Sequence, residues 1–231
     1  LENFRYNCFS FEEFKSLFNV ISISNRMSQI AQDWEDFTEF LSLIDSVTPL
    51  PYHEKRFLEI FASDGKINDN ASPELHSIRN RQKHVRQSII KTLNSKLDEQ
   101  IFSGFIQEKI ITERDGRYVL PIKDGSAKFV NGISHGKSSS KSSVYMEPQE
   151  IIELNNENDY LKEEEREEIY RILSVFSEDI IKEKEHLIRN YKQVVLIDLN
   201  FAIAVFSNRI EAVCPEITEK PYLKLLKAKH P

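Results

Sequence analysis

The stretch Gly132-Ile133-Ser134-His135-Gly136-Lys137-Ser138 holds the grouping most able to do chemistry on a phosphate: glycines that free the backbone, a lysine, and hydroxyls. A phosphate-cradling loop needs four residues between its glycines and a helix opening at the Lys-Ser pair, so that backbone N–H groups and the helix N-terminus converge on the phosphates. Here Ile133, Ser134 and His135 alone separate the glycines, and a β-like Val144-Tyr145-Met146 follows the serines. The spacing argues against a nucleotide loop.

Other reactive groups lack partners at catalytic spacing. The six histidines include no His-Glu-x-x-His, and between His76 and His84 lies neither an acid nor a third ligand, so no metal site is expected. Glu163, Glu164, Glu165, Glu167 and Glu168 form a run that on a long helix reads as a solvated face rather than an acid/base pair. Ser138, Ser139, Ser140, Ser142 and Ser143 have no neighbouring base with an orienting partner, which leaves nucleophilic catalysis without support. No catalytic residue is expected.

What these residue types can do is bind. Between Gly132 and Ser143 the glycines, the hydroxyls and Lys137 and Lys141 make a flexible loop able to contact phosphate oxygens without reading bases. A mobile, soluble hairpin tip would have the same composition, and residue types leave both readings open. In the binding reading, Lys137 and Lys141 act at the tip and Lys123, Lys128 and Arg117 along the strands. The tip has no aromatic to stack on a base and no Asn or Gln placed to read a base edge, so contact would be to the backbone.

Such a loop has to be carried. Tyr118, Leu120 and Ile122 alternate with Val119, Pro121 and Lys123, a period of two that predicts a strand, confined by Pro121 to an edge or a bulge. Asp115-Gly116, between that strand and residues 108–112, is a two-residue hairpin signal. Residues 129–133 and 144–146 are two further short strands. Pro148 suits the first turn of a helix, where its missing N–H leaves no bond unmade. That helix is expected to reach about Tyr191, on the order of 60 Å at ~1.5 Å per residue. Ser72-Pro73 opens another, to about Asp98, with Leu75, Ile78, Val85, Ile89 and Leu93 on one stripe. No small globule covers such a length. The two helices are therefore expected to pair antiparallel, as an arm whose far end carries the insertion and whose polar centre, residues 155–168, stays wet. Ser10 caps an amphipathic helix bearing Phe11, Phe14, Leu17, Phe18 and Ile21; Trp34, Phe37, Phe40, Leu41 and Ile44 repeat the pattern up to Pro49. An apolar helix over 194–213 and a strand or edge at 222–226 complete the reading.

The 231 residues suffice for one large domain or two small ones, and 40% apolar with 29% charged is ordinary globular composition. A start at Leu1 and an end at Lys-His-Pro read as a piece cut from a longer protein. No apolar run approaches the roughly 20 residues of a membrane span, and no signal-peptide pattern precedes Phe4, so a cytoplasmic protein with no membrane partner is expected. Cys8 and Cys214 are expected to be reduced. The net charge of −6 argues against a uniformly basic nucleic-acid binder, yet charge is segregated. Arg79, Arg81, Lys83, Arg86, Lys91 and Lys96 make one stretch basic; Lys123, Lys128, Lys137 and Lys141 make the insertion basic; residues 147–168 are acidic. A basic tip on an acidic support can still bind phosphate through its local field.

Several of these segments resemble one family. Asp64-Gly65-Lys66-Ile67-Asn68-Asp69-Asn70, Arg117-Tyr118-Val119-Leu120-Pro121-Ile122-Lys123, Glu147-Pro148-Gln149 with Glu153-Leu154-Asn155-Asn156, and Tyr160-Leu161-Lys162-Glu163-Glu164-Glu165 are similar to successive segments of the MutS superfamily. The likeness is to its second bacterial branch, whose members are associated with recombination suppression and ribosome rescue. The terminal Lys227-Ala228-Lys229-His230-Pro231 resembles the Ala-Arg-His-Pro that opens that family's ATPase domain. The resemblance covers residues 64–231 well and the first sixty by helical pattern alone.

The resemblance implies a helical core over 1–72, an ascending lever helix over 73–104, a β-rich clamp over 105–147, a descending lever helix over 148–191, and a core helix with the lead-in to an ATPase domain over 192–231. In the superfamily the clamp touches the nucleic-acid backbone. It further implies a parent protein that forms a homodimer, uses ATP and magnesium in a following domain and often ends in an endonuclease domain, whereas this fragment needs no cofactor. The family usually has His-Asp-x-Ser-x-Ser-Gly at the clamp tip. This chain keeps His135, Ser138 and Ser140, which join the expected contacts on that resemblance, and has Gly136 for Asp and Lys141 for Gly, which raises the positive charge. No mismatch-reading N-terminal module is seen in the sequence, so mismatch specificity is not implied.

The expected fold is mainly α: a helical core, two long antiparallel lever helices and a small inserted β-rich clamp. The expected role is non-catalytic contact with the backbone of DNA or of structured or ribosomal RNA, coupled to an ATPase domain. Its rival is a structural dimerisation or transmission arm that touches no nucleic acid, and a salt-dependent titration separates the two because phosphate contacts release counterions.

Overall fold

Helical and strand periodicities sort the chain into a mainly α protein with a small antiparallel sheet. The computed structural model describes residues 8–31, 38–139 and 141–215, with 217, 219, 221 and 223–225 as separate positions. Two compact units result, one of Leu1–Phe9 and Leu58–Ser177, the other of Ser10–Phe57 and Glu178–Pro231.

The first unit contains the paired helices and the insertion. Helices α1 (Phe11–Ala31), α2 (Thr38–Ile44) and α3 (Pro51–Ile60) precede α4, Pro73–Asp98, which starts as its sequence requires. Ser72 is extended and its hydroxyl accepts the Leu75 N–H at 3.0 Å, with Pro73 in the first turn. Leu75, Ile78, Val85, Ile89, Leu93 and Leu97 recur on one face and are buried. A short α5 (Gln100–Ser103) leads to the sheet, and α6, Ile152–Lys182, returns from it. The helices run antiparallel, since partners descend in α6 as they ascend in α4: Ser72 with Glu168, Arg79 with Glu165, Arg81 with Glu164, Gln82 with Leu161, and Lys96 with Glu150 just ahead of α6. Leu93, Leu161 and Ile89 have no exposure in the core that α4 shares with the sheet, and each such side chain contributes about 1.5–3 kcal/mol.

The polar centre of α6 departs from expectation. Asn155, Asn158 and Glu168 are buried rather than wet. Two of them are answered by partners: Asn155 bonds Tyr118 and Glu147 of the sheet, and Glu168 accepts from Ser72 and Arg171, while Arg79 donates to the neighbouring Glu165 at 2.7 Å and Gln82 Nε2 reaches both the Leu161 carbonyl at 3.1 Å and Glu165 at 2.9 Å. Two ion pairs, Arg79 with Glu165 and Arg81 with Glu164, thus join the basic stretch of α4 to the acidic stretch of α6.

The insertion is a four-stranded antiparallel sheet in the order β1-β2-β4-β3, built from β1 (Thr112–Arg114), β2 (Arg117–Lys123), β3 (Gly132–Lys137) and β4 (Ser143–Pro148). Asp115 at φ 49° and Gly116 at φ 84° make the expected two-residue turn, closing Arg114 on Arg117. Pro121 does not put β2 at an edge. It pairs with Tyr145 of β4, while its carbonyl accepts the Gln107 N–H at 2.9 Å on the opposite side. The missing N–H points that same way, so the bonds to β4 are intact. Residues 124–129 form a 3-10 turn, and the strand expected at 129–133 lies further on as β3. Pro148 closes β4 instead of opening a helix, and a 3-10 turn at Gln149–Ile151 precedes α6.

The second unit satisfies its loops with asparagines. Ser10 and Glu13 form a reciprocal cap at the start of α1, Glu13 N–H to the Ser10 hydroxyl at 3.3 Å and Ser10 N–H to the carboxylate at 2.7 Å. Asn25 accepts the Leu50 N–H at 2.6 Å, and Asn190 bonds both backbone groups of Thr48, at 3.0 and 2.8 Å. The helix expected to reach Tyr191 stops at Lys182, and a separate α7 spans Lys184–Arg209. Lys182-Glu183-Lys184 contains no breaker residue, so nothing local announces the break. Trp34, Phe37 and Tyr222 lie outside the described residues.

Candidate nucleic-acid interface

One face of the sheet joins the α4 core, through Leu120 and Ile122 opposite Met146 and Val144. Period-two alternation then puts Arg117, Tyr145 and Glu147 on the other face. Glu147 has no exposure, and a carboxylate there needs every lone pair answered. Arg117 supplies a two-pronged pair, Nε to Oε2 at 2.8 Å and Nη2 to Oε1 at 2.6 Å; Asn155 of α6 donates to Oε1 at 2.9 Å; His135 Nε2 lies 2.7 Å from Oε2. Burial pushes the Glu147 carboxyl up, but Arg117, Asn155 and His135 outweigh it and hold it below the usual carboxylate range. Asn155 also bonds both backbone groups of Tyr118, at 3.1 and 3.1 Å, and Arg117 reaches Asp159 and Asn156 at 3.0 and 2.8 Å. The network fastens β2, β3 and β4 to the first turns of α6.

This geometry sorts the expected contacts. Arg117 and His135 face inward on Glu147, with 18% and 16% of their side chains exposed. Lys123 is exposed and donates to the Gly104 carbonyl at 3.0 Å. Lys128 is exposed, its ammonium 5.0 Å from the Phe129 ring centre. Lys137 is exposed and pairs with Asp124 at 2.7 Å. Ser138 closes the β3–β4 turn: its N–H donates to Ser143 at 2.9 Å, its carbonyl accepts the Lys141 N–H at 2.9 Å and its hydroxyl accepts the Ser143 N–H at 3.2 Å. Lys141 is exposed, at φ 58°, with no acidic partner among the described residues. Ser140 lies outside the described residues.

Residues 132–137, read from sequence as part of a flexible loop, form strand β3. The strand is irregular between Ser134 and Lys137, with Gly136 at φ 88°, but the next element is β4 rather than a helix, so the loop-and-helix cradle for a phosphate is not formed. Gly132 is required by close approach, since a Cβ there would run into the Glu147 carbonyl.

Two groups escaped the sequence reading. Arg114 lies over the Tyr145 ring, 4.1 Å from its centre, and donates to its hydroxyl at 2.7 Å. Its signal was the hairpin register, which sets it beside Arg117. Phe129 is 62% exposed beside Lys128, an aromatic–basic neighbour pair that lies outside the tip and is legible in the sequence as such. The basic stretch of α4 is largely engaged, Arg79, Arg81 and Lys96 pairing with acids.

No family model matches the chain. Curated relatives do. An endonuclease MutS2 of Halothermothrix orenii is 36% identical over 187 residues, 81% of this chain and 24% of that protein. Those of Caldanaerobacter subterraneus and Aquifex aeolicus are 35% and 30% identical, over 86% and 95% of this chain and 25% and 29% of theirs. The chain spans about a quarter of the length of these relatives.

Proposed function

The chain belongs to the MutS2 branch of the MutS superfamily, and we propose that it is the lever-and-clamp region of a longer cytoplasmic protein, contacting nucleic-acid backbone through the sheet. The observation that carries this reading is the exposed turn bearing Lys137 and Lys141, mounted on strands that the buried Glu147 network fastens to α6. A charged tip on a rigid mount can both touch phosphates and pass a displacement to α6. Catalysis then belongs to other parts of the parent: ATP and magnesium in a following domain, and nucleic-acid cleavage as the relatives' name says of them. Titrating the fragment with duplex DNA and with structured RNA at several salt concentrations tests the reading. Binding whose log affinity falls linearly with log salt supports it, and salt-independent binding or none removes it.

A second reading has its own observation. On α7, Leu199, Phe201, Ile203, Val205 and Phe206 are each more than half exposed, which suits a helix covered by protein. We assign that helix to contacts with the rest of the parent or with a second copy. No helix among the described residues is long and apolar enough to cross a membrane.

A further inference from the structure

We propose that Phe129 is a stacking shelf for an unpaired nucleobase, with Lys128 and Lys123 taking the adjacent phosphates. The inference rests on the clamp's contacting nucleic acid and adds the form of nucleic acid it takes.

Phe129 ends the 3-10 turn after β2 and stands 62% exposed, but it is not loose. Its ring stacks on Phe105 at 5.8 Å between centres and 22° between planes. Phe105 in turn meets Phe102 edge-on at 6.5 Å and 77°, and Phe102 is buried in the core that α4 shares with the sheet. Three rings therefore run from the core to the surface and hold the outermost in place, so little conformational freedom remains to be lost when a ligand covers it.

The surroundings indicate what covers it. Lys128 holds its ammonium 5.0 Å from the Phe129 ring centre, and Lys123 sits on the Gly104 carbonyl beside Phe105. Both are exposed, and neither has a carboxylate partner among the described residues. An apolar protein surface would leave two ammonium groups at its edge without counter-charge, whereas a nucleotide brings a ring for the shelf and a phosphate for the lysines. Aromatic platforms flanked by cations are how proteins hold single strands without reading sequence. An exposed cation–aromatic contact is weaker than base stacking, so a base can displace Lys128 towards the phosphate. In a duplex each base is already stacked on its neighbours, and the shelf therefore selects single strands, loops and frayed ends.

The test titrates the fragment with a labelled oligothymidylate and with a blunt duplex of equal length. Phe129→Ala is expected to weaken single-strand binding by roughly tenfold and leave duplex affinity unchanged. Phe129→Trp should restore it, and the melting temperature of each variant confirms that the fold is kept. Lys123→Ala with Lys128→Ala should lower the single-strand salt slope by roughly 0.7 for each phosphate no longer neutralised. Equal weakening on both forms, or none on either while the wild type binds, overturns the shelf and leaves the clamp reading standing. Binding of neither form by the wild type removes both. Self-association of the wild type that Phe129→Ala abolishes, with single-strand affinity unchanged, assigns the ring to protein contact and likewise overturns the shelf.

Discussion

Arg117 and Glu147 meet as a two-pronged ion pair, 2.6 and 2.8 Å between their closest atoms, in which the carboxylate has no solvent exposure and the guanidinium keeps 18%. That imbalance makes the two halves unequal. Arg117→Ala takes the two-pronged cation from a buried charge, leaving it Asn155 and His135 alone, and should cost up to about 3–5 kcal/mol. In Glu147→Gln, Arg117 keeps Asp159 and Asn156, so the loss should be smaller. Denaturant unfolding of the two variants checks the order, and equal losses would show that the carboxylate is not the constrained partner. Since Glu147 is held below its ordinary value, its stabilisation is complete above about pH 4.3 and disappears as pH falls through the folded value. Glu147→Gln should therefore lose less stability than the wild type on acidification from neutral pH.

The acidic run of α6 should divide by position. Glu168 is 7% exposed, is paired twice by Arg171 at 2.6 and 2.7 Å, and accepts the Ser72 hydroxyl that itself caps α4. Glu168→Ala should cost about 1–3 kcal/mol. Glu164 shares a 3.2 Å pair with a half-exposed Arg81, and Glu164→Ala should cost at most about 1 kcal/mol. The buried Ile172, changed to Asp, should cost several times as much as Glu164→Ala through an unpaired buried charge. Thermal melts of the three variants give the ranking; Glu168→Ala and Glu164→Ala melting together would return the whole run to solvent.

What could be read in advance was local. Asp115-Gly116 names its own turn, Ser72-Pro73 names a helix start, and the α4 stripe names its buried face. The misplaced features depend on residues far apart. Glu168 was assigned to solvent because its neighbours are charged, but besides pairing with Arg171 three positions on it meets Ser72, 96 positions away. Pro121 was assigned to an edge because it cannot donate, yet which side its lost donor faces depends on residues 105–107. The inward pairing of Arg117 was likewise not legible, because Glu147 and Asp159 come together only when β2, β4 and α6 do.

Lys141 occupies a left-handed position at φ 58°, where a Cβ is strained and glycine is not. Lys141→Gly should stabilise the fragment by about 1 kcal/mol, and Lys141→Asn by less, because Asn tolerates that region better than Lys. Both remove the charge, so they should weaken duplex binding alike despite unequal melting temperatures. Destabilisation by both would mean that the turn is held by the Lys141 side chain rather than imposed on it.

The two tip lysines should not contribute equally to duplex binding. Lys137 is paired with Asp124 at 2.7 Å and must leave that carboxylate to reach a phosphate, whereas Lys141 has no acidic partner among the described residues. An exposed pair of this kind holds by at most about 1 kcal/mol, enough to divide the contribution of Lys137 several-fold but not to abolish it. Lys141→Ala should thus reduce the slope of log affinity against log salt by about 0.9, Lys137→Ala by less, and the double variant by up to about two units. Asp124→Ala should act in the opposite direction, tightening binding and steepening the slope, because it both frees Lys137 and removes a charge that repels phosphate. If instead the double variant binds with unchanged affinity and slope, the backbone contact lies on another basic surface, and exposed Arg86 and Lys91 of α4 are the next residues to replace.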